Sequence, residues 1–127
     1  MHLKIKDGNE MKEMYVSIRP FSIEMIKKLK KHAELIVFTA GQKYYAESIV
    51  GALNEIAGSD LFDHLLHRDF CTSMTNIGRD GTFHIKDLKI LLEGRRIQDI
   101  ILIDNRAVSY TPLHLTNGIP VIDYEGD

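Results

Sequence analysis

Two short apolar runs without polar alternation constrain the fold of this chain more than any other feature. The runs are LIVF at residues 35–38 and IILI at residues 100–103, and the polar residues Thr39 and Asp104 follow them. A strand that is apolar on both faces is typical of a parallel sheet covered by helices. The two runs therefore predict an α/β fold with parallel strands in its core.

The segments between these runs alternate between helix and strand. Five apolar residues recur at helical spacing after the first run: Tyr45, Ile49, Ala52, Leu53 and Ile56. They predict a long amphipathic helix that ends near Gly58. HLLH at residues 64–67 predicts a short strand, and the leucines at 88, 91 and 92 predict a short helix closed by Gly94.

Two β-hairpins and one further helix are predicted from turn and capping residues. HLKIK at residues 2–6 and EMYVSI at residues 13–18 flank the turn-forming Asp7-Gly8-Asn9 cluster, which predicts a hairpin at a sheet edge. Residues 71–85 predict a second hairpin with turn residues from 78 to 81. Ser22 is the predicted N-cap of the helix between them.

That helix has an apolar stripe and a basic side. Three residues form the stripe: Met25, Ile26 and Leu29. Four lysines point away from it: Lys27, Lys28, Lys30 and Lys31. We expect a solvated helix face here rather than a binding patch.

Composition narrows the class of protein. The 127 residues are 44% hydrophobic, which suits one compact domain, and the net charge of −2 gives no ground for a direct nucleic-acid partner. The single cysteine, Cys71, excludes an intrachain disulfide framework and a multi-cysteine zinc site, and we expect it to be at least half-buried. No apolar run approaches the roughly 18 residues of a membrane span, so we expect no membrane segment.

The polar residues that end the two core runs are candidate ligand-binding residues. Ligands of parallel α/β sheets gather at the carboxyl ends of the strands, where Thr39, Asp104 and Asn105 are expected. Hydroxyl, carboxylate and amide oxygens suit a phosphate and a magnesium ion better than a zinc ion. The alternative is that Thr39 merely ends a strand and Asp104 starts a turn or caps a helix, and spacing alone does not decide between them.

Three longer motifs resemble one known family. They are VFTAGQKYYAESIV at 37–50, FHIKDL at 83–88 and ILIDNRAVSY at 101–110, supported by MYVSIRP at 14–20 and NGIPVIDYEGD at 117–127. In this order they resemble the small carboxy-terminal-domain (CTD) phosphatases, also described as NLI-interacting-factor-like phosphatases, of the haloacid dehalogenase superfamily. The resemblance implies a Rossmann-like haloacid dehalogenase fold with a central parallel sheet and a β-hairpin insertion.

The resemblance also implies roles for individual residues. Thr39 matches the family threonine that hydrogen-bonds phosphoryl oxygens, and Lys86 matches the lysine that balances charge on the phosphate and the nucleophile. Asn105 matches the direct magnesium ligand, with Asp104 in a neighbouring role. For Lys86 the alternative is a surface lysine that begins a helix.

Two further residues match recurrent family positions. These are Arg19 and Asp87. A structural salt bridge is an equally good interpretation of each one.

One essential part of the family pattern is missing from this sequence. The resemblance implies an Asp-x-Asp-x-Thr strand, whose first Asp attacks phosphorus to form an aspartyl-phosphate and whose second Asp acts as acid and then base. No such motif occurs here, and Asp7 stands alone in a turn, so it is not a nucleophile. We expect weak or absent magnesium binding, no activity of the chain alone, and self-association through an uncovered strand.

The length of one segment and the C-terminal elements also differ from the family pattern. The segment between Arg68 and Lys86 is longer than in typical small members, and the closing C-terminal helix of the family is absent. We therefore expect residues 1–127 to form a single phosphatase-like domain that lacks the first core strand and the C-terminal helix. Such a domain is truncated at both ends.

Three functional hypotheses follow. The first is part of a magnesium-dependent phosphatase that acts on phosphoserine or phosphothreonine proteins or peptides. The second is a pseudophosphatase or protein-binding module with the same fold, and the third is an unrelated doubly wound binding domain. We expect an intracellular protein, with nothing to distinguish nucleus from cytoplasm.

Overall fold

The computed structural model describes residues 1–75 and 81–126. These residues form two compact units. The first unit contains residues 1–67 together with 124–126, and the second contains Arg68–Asp123 without the segment 76–80. Each unit has its own helices or turns and its own pairs of strands.

The first unit begins with the predicted hairpin. Strand β1 (His2–Asp7) pairs antiparallel with β2 (Glu10–Tyr15), and Ile5 lies opposite Lys12. Gly8 occupies the first position of the two-residue turn with φ of 62°, a conformation that glycine adopts without steric cost. The hairpin prediction is therefore confirmed, and Ile5 is the one fully buried side chain of the two strands.

The helix after the hairpin, α1 (Ser22–Lys30), differs from the prediction at its start. Ser22 is the first helical residue and does not cap the helix. Phe21 occupies the N-cap position in a left-handed conformation with φ of 66° and makes no side-chain cap hydrogen bond. Ser22 is the predicted N-cap because it is a capping residue type that follows Arg19-Pro20. The Ser22 amide instead closes a turn by donating to the Arg19 carbonyl at 3.2 Å, and the helix cap lies one residue earlier.

The lysines of α1 are exposed as predicted, but two of them also hold another element. Lys27 Nζ donates to the carbonyl of Ala57, and Lys30 Nζ donates to the carbonyl of Asp60, both at 2.9 Å. These carbonyls lie at the end of the next helix and just beyond it. The basic side of α1 therefore stabilises a helix C-terminus, where cations interact favourably with the helix dipole.

The first unit also contains a parallel strand pair. Strand β3 (Ile36–Phe38) pairs with β4 (His64–Leu66), and helix α2 (Lys43–Ala57) connects them. The helix ends at Gly58, whose φ is 71°, as the sequence predicts. This strand-helix-strand unit confirms the predicted parallel pairing of the first apolar run.

The second unit starts with the second predicted hairpin. Strands β5 (Thr72–Thr75) and β6 (Thr82–Ile85) pair antiparallel, with Thr72 opposite Ile85. The predicted turn residues at 78–80 lie outside the described residues. After β6, a 3₁₀ helix covers Leu88–Leu91 and is followed by the cap residue Leu92, so the predicted short helix exists but Gly94 does not close it.

The second apolar run also forms a parallel strand. Strand β7 (Leu102–Asp104) pairs with β8 (Gly118–Pro120), which was not predicted. The connection contains the short helix α3 (Thr111–His114) between two 3₁₀ turns. The aromatic ring of Tyr110, which is 3% exposed, packs against Gly118 so closely that a Cβ atom there would overlap the ring.

The observed class is a mixed α/β domain with short sheets. Both parallel pairs and both hairpins are two-stranded among the described residues. The single Rossmann-like central sheet, the missing first core strand, the missing C-terminal helix and the single-domain assignment stay predictions. No helix in the described part of the chain is long and apolar enough to cross a membrane.

Candidate functional site

Two of the predicted site residues meet inside the second unit. Lys86 directly follows β6, and Asp104 is the last residue of β7. The Lys86 Nζ atom donates to Asp104 Oδ2, and the two side chains are only 11% and 3% exposed. The resemblance implied a role for each residue, but neither spacing nor resemblance predicted that they form an ion pair.

The surrounding backbone fixes both members of the pair. The Lys86 amide donates to the carbonyl of Ser109 at 2.8 Å, and Asp104 Oδ1 accepts the Arg106 amide at 2.8 Å. The Val121 amide also donates to the Asp104 carbonyl at 3.1 Å, just beyond the β7–β8 ladder. Lys86, just after β6, and Asp104, at the end of β7, are therefore both held by backbone groups of the segment that follows β7.

The ion pair leaves the lysine able to bind an anion. A lysine ammonium has three N–H donors, and within the described residues Asp104 is its only hydrogen-bonding partner. With respect to the described part of the chain, two donors remain for the oxygen atoms of a ligand. A buried ammonium in a site of low polarity interacts with an anion more strongly than one at the surface does.

Asn105 follows Asp104 and is exposed. Its Nδ2 atom donates a hydrogen bond to Asp123 Oδ1 at 2.8 Å. The Oδ1 atom of Asn105 is then the atom that could bind a metal ion. Sequence reasoning did not single out Asp123. The only available signal was an acidic residue shortly after an apolar run, and that pattern is too common to identify a partner.

The described residues do not by themselves fit a magnesium ion. Both carboxylate oxygens of Asp104 are engaged, one by Lys86 and one by the Arg106 amide. Among residues 1–75 and 81–126, no three His, Cys, Asp or Glu side chains are grouped as a metal site. Magnesium prefers an octahedral set of oxygens with at least one or two carboxylates, which Asn105 alone does not supply.

Asp87 lies beside Lys86 and contacts a buried histidine. The Nε2 atom of His114 is 2.8 Å from Asp87 Oδ1 and 3.0 Å from the Leu88 amide nitrogen. Asp87 also accepts the Lys89 amide at 3.0 Å, as the N-cap of the 3₁₀ helix. The structure thus places Asp87 in contact with His114, a pair that is a salt bridge only when the ring is protonated, and the family role of Asp87 stays a prediction.

The pKa of Asp87 is lowered from its ordinary value. Burial is the largest single influence and raises the pKa, but hydrogen bonds from His114 and from the Lys89 amide, with the charges of both residues, outweigh it. The carboxylate is therefore ionised at neutral pH. His114 was missed at the sequence level, because a lone histidine on an apolar segment carries no signal of its partner.

Thr39 lies in the first unit at the end of β3. Its amide donates to the Leu66 carbonyl at 2.9 Å, and its Oγ1 atom accepts the Gly41 amide at 3.0 Å. A Cβ atom at Gly41 would lie 2.9 Å from the Tyr45 ring and 3.2 Å from Thr39 Oγ1. The hydroxyl thus sits in a tight turn between β3 and α2, and its phosphate-binding role stays a prediction.

Arg19 also lies in the first unit. Its guanidinium is 5.3 Å from the centre of the Tyr124 ring, a cation–π contact. Asp7, the acid that the sequence places in a turn, ends β1 and bonds Lys12 Nζ at 2.7 Å across the hairpin. Asp7 is thus held in an exposed ion pair, and the family role of Arg19 stays a prediction.

Cys71 is half-buried, as predicted. Burial raises the pKa of its thiol, the charges of Lys86 and Arg68 lower it, and the charge of Asp104 raises it again, for a net increase. The thiol is therefore protonated at neutral pH, which argues against a nucleophilic role.

Comparison with known proteins adds a family. The family model described as "NLI interacting factor-like phosphatase" matches residues 1–127. CTD small phosphatase-like protein 2 of Dictyostelium discoideum is 33% identical over 114 residues, which cover 90% of this chain and 18% of that protein. CTD small phosphatase-like protein 1 of Caenorhabditis elegans is 32% identical over 121 residues, which cover 95% of this chain and 22% of that protein.

A third relative carries a different name. Nuclear envelope morphology protein 1 of Saccharomyces cerevisiae is 31% identical over 121 residues, which cover 89% of this chain and 26% of that protein. The chain therefore spans between 18% and 26% of the length of these three relatives.

Proposed function

The chain belongs to the NLI interacting factor-like phosphatase family, and from this premise we propose that it forms part of a magnesium-dependent protein serine/threonine phosphatase. Family membership confirms the resemblance to the CTD phosphatases. It also makes the hypothesis of an unrelated doubly wound binding domain wrong. The substrates proposed for the whole protein are phosphoserine or phosphothreonine proteins or peptides.

The observation that carries the proposal is the buried ammonium of Lys86. Phosphoryl transfer requires positive charge beside the equatorial oxygens of the phosphoryl group, which hold the negative charge in the transition state. Lys86 is fixed by its ion pair with Asp104 and has two donors without a partner among residues 1–75 and 81–126, so it is suited to this task. A flexible surface lysine would have to be ordered at the moment of reaction, at a cost in entropy.

The other family roles are part of the same proposal. Asn105 would contribute a magnesium ligand through its amide oxygen, with Asp104 beside it. The orientation of the Asn105 amide by Asp123 supports this assignment. For Thr39 we propose a hydrogen bond from its hydroxyl to a phosphoryl oxygen, and the tests of Lys86 below do not depend on it.

Catalysis in this proposal needs an Asp-x-Asp motif that the 127 residues do not contain. The first Asp attacks phosphorus, the bond to the seryl or threonyl oxygen breaks, and the second Asp protonates that leaving oxygen. Water then attacks the aspartyl-phosphate, with the second Asp accepting its proton, and releases inorganic phosphate. The 127 residues alone would accordingly show no turnover.

The direct experiment supplies the missing motif. An Asp-x-Asp-x-Thr strand of the family type is joined ahead of Met1, and hydrolysis of p-nitrophenyl phosphate is measured with and without magnesium. The matched control carries Asn-x-Asn in the added strand. We expect magnesium-dependent turnover only with the Asp residues, and a folded fusion protein without turnover would contradict the proposal.

A pseudophosphatase or protein-binding module is the second candidate. The sequence observation that favours it is the absence of an Asp-x-Asp motif from a chain that has Lys86 and Asn105. Calorimetry on the full natural protein distinguishes the two candidates. Binding of a phosphoserine peptide, but not of its unphosphorylated form, together with no hydrolysis would support the second candidate, whereas hydrolysis would exclude it.

A further inference from the structure

The segment that carries Lys86 is held at two consecutive places by the segment that follows Asp104. The first place is Lys86 itself, whose backbone amide donates to the carbonyl of Ser109 at 2.8 Å. The second place is formed by the next two residues, Asp87 and Leu88, which contact the ring of His114. Ser109 and His114 both lie in the connection between β7 and β8.

The contacts of His114 lie in a protected interior. His114 is 7% exposed and Leu88 is 1% exposed. The Asp87 side chain is 20% exposed, and it also accepts the Lys89 amide. A hydrogen bond to an ionised group at such a site is stronger than one between neutral groups.

The ring nitrogen Nε2 serves one partner at a time. With a proton, it donates to the Asp87 carboxylate, and without one it accepts the Leu88 amide. In either state His114 is therefore bonded to one of the two residues that directly follow Lys86. The hold on this backbone segment therefore does not depend on which nitrogen carries the proton.

We propose that His114, acting through Asp87 and Leu88, is a positioning residue that fixes the Lys86 ammonium against Asp104. The purpose of that positioning rests on the proposed function, since it is the phosphoryl group that needs the ammonium in one place. The positioning itself is a property of the second unit and can be measured without turnover. A misplacement of about 1 Å in a reacting geometry can lower a rate by roughly 100-fold.

The test reads the state of Lys86 directly by nitrogen-15 NMR of lysine ammonium groups in the 127-residue chain. A buried, ion-paired ammonium exchanges its protons with water slowly, so Lys86 should give a sharp signal that Lys86→Gln removes. We expect His114→Leu to raise the exchange rate at least roughly tenfold, since leucine can bond neither Asp87 nor Leu88. His114→Gln should restore slow exchange, because its side-chain amide can donate to Asp87 or accept from Leu88.

Two further variants separate positioning from general stability. Asn117→Ala removes hydrogen bonds from Asn117 Nδ2 to the carbonyls of Ile97 and Ile100, which lie in the same unit and are not part of the bonds that hold Lys86, Asp87 and His114. It should lower stability and leave the Lys86 signal unchanged. Asp87→Ala removes the carboxylate partner but leaves the Leu88 amide, so we expect it to raise the exchange rate less than His114→Leu does.

Several results would overturn the inference. These are a wild-type Lys86 signal that exchanges as fast as those of exposed lysines, equal effects of His114→Leu and Asn117→Ala, and no rescue by His114→Gln. Failure of His114→Leu and Asp87→Ala to fold, with Asn117→Ala folded, would also overturn it, because the cluster would then serve stability alone. Slow exchange that depends on His114 in a fusion protein without turnover would support positioning and count against the proposed function.

Discussion

Lys86 and Asp104 depend on each other for their stability in the protein interior. Each charge has lost most of its hydration, since the two side chains are 11% and 3% exposed, and each is compensated by the other. Burying an ion pair is close to neutral overall, but removing one partner leaves an uncompensated charge. The pair is thus better explained by a need for a fixed ammonium than by a need for stability.

Asp104→Asn should therefore destabilise the protein strongly. We expect the free energy of unfolding to fall by about 3–5 kcal/mol, since the Lys86 ammonium stays buried without a counter-charge. Urea denaturation measures the change. Arg96→Ala is the control, because it removes an exposed ion pair with Asp99 in the same unit and should cost at most about 1 kcal/mol. Equal effects would show that the buried pair has no special role.

The lowered pKa of Asp87 predicts that the free energy of unfolding depends on pH in the acid range. Its pKa is lowered by folding from the ordinary value of 3.8, so the ionised form binds its partners in the folded state. The resulting stability is fully present above about pH 5 and is lost as the pH falls through the lowered pKa. Urea denaturation between pH 7 and pH 3 should give a shallower loss for Asp87→Asn than for the wild type. Parallel curves would contradict this assignment.

The sequence predicted which residues belong to the site, but not how they contact one another. Motif order identified Lys86, Asp104 and Asn105, because family motifs keep their order along the chain. The Lys86–Asp104 bond and the His114 and Asp123 contacts join residues 18 or more positions apart. Such partners are chosen by tertiary packing, which no local pattern encodes.

At the level of elements, the close contact of Tyr110 with Gly118 joins the β7–β8 pair to its connection. Gly118→Ala should destabilise the protein by about 1–3 kcal/mol, since the added methyl group overlaps the ring. Thermal or urea denaturation measures the loss. The control is Gly51→Ala in α2, where a Cβ atom meets nothing within 4 Å and helix propensity should add up to about 1 kcal/mol. A neutral Gly118→Ala would contradict the described packing.

Elements with strong local signals were predicted well. The first hairpin follows from its Asp-Gly-Asn turn, and α2 follows from its apolar spacing and terminal Gly58. Strand β8 was missed because three residues, Gly-Ile-Pro, show neither alternation nor β-branched enrichment. The predicted N-cap of α1, Ser22, was wrong because Phe21 takes that position in a left-handed conformation that bulky residues rarely adopt.

At the level of the whole molecule, the family match covers residues 1–127, but the metal site is incomplete among the described residues. We expect calorimetric titration of the chain with magnesium chloride to give no saturable binding below about millimolar concentration, because carboxylate ligands are too few. The fusion protein with an Asp-x-Asp strand should bind more tightly, and its Asn-x-Asn form is the control. Micromolar binding by the 127 residues alone would contradict this expectation.

The assembly of the two units into one central sheet, self-association through an open strand and an intracellular location stay predictions. The family assignment does not depend on them, since it rests on the match over the whole sequence. What depends on the structure is narrower: a fixed ammonium beside the end of β7.

The most direct test of that claim is kcat/KM for p-nitrophenyl phosphate in the active fusion protein, compared between Lys86→Ala and Lys89→Ala. Lys89 is exposed three residues further along, and its hydrogen bond to Asp87 comes from its backbone amide, which Lys89→Ala keeps. Lys86→Gln is measured beside them, since glutamine can still donate to Asp104. We predict a loss of roughly 100-fold or more for both Lys86 variants and almost none for Lys89→Ala. Folded Lys86 variants as active as Lys89→Ala would contradict the account.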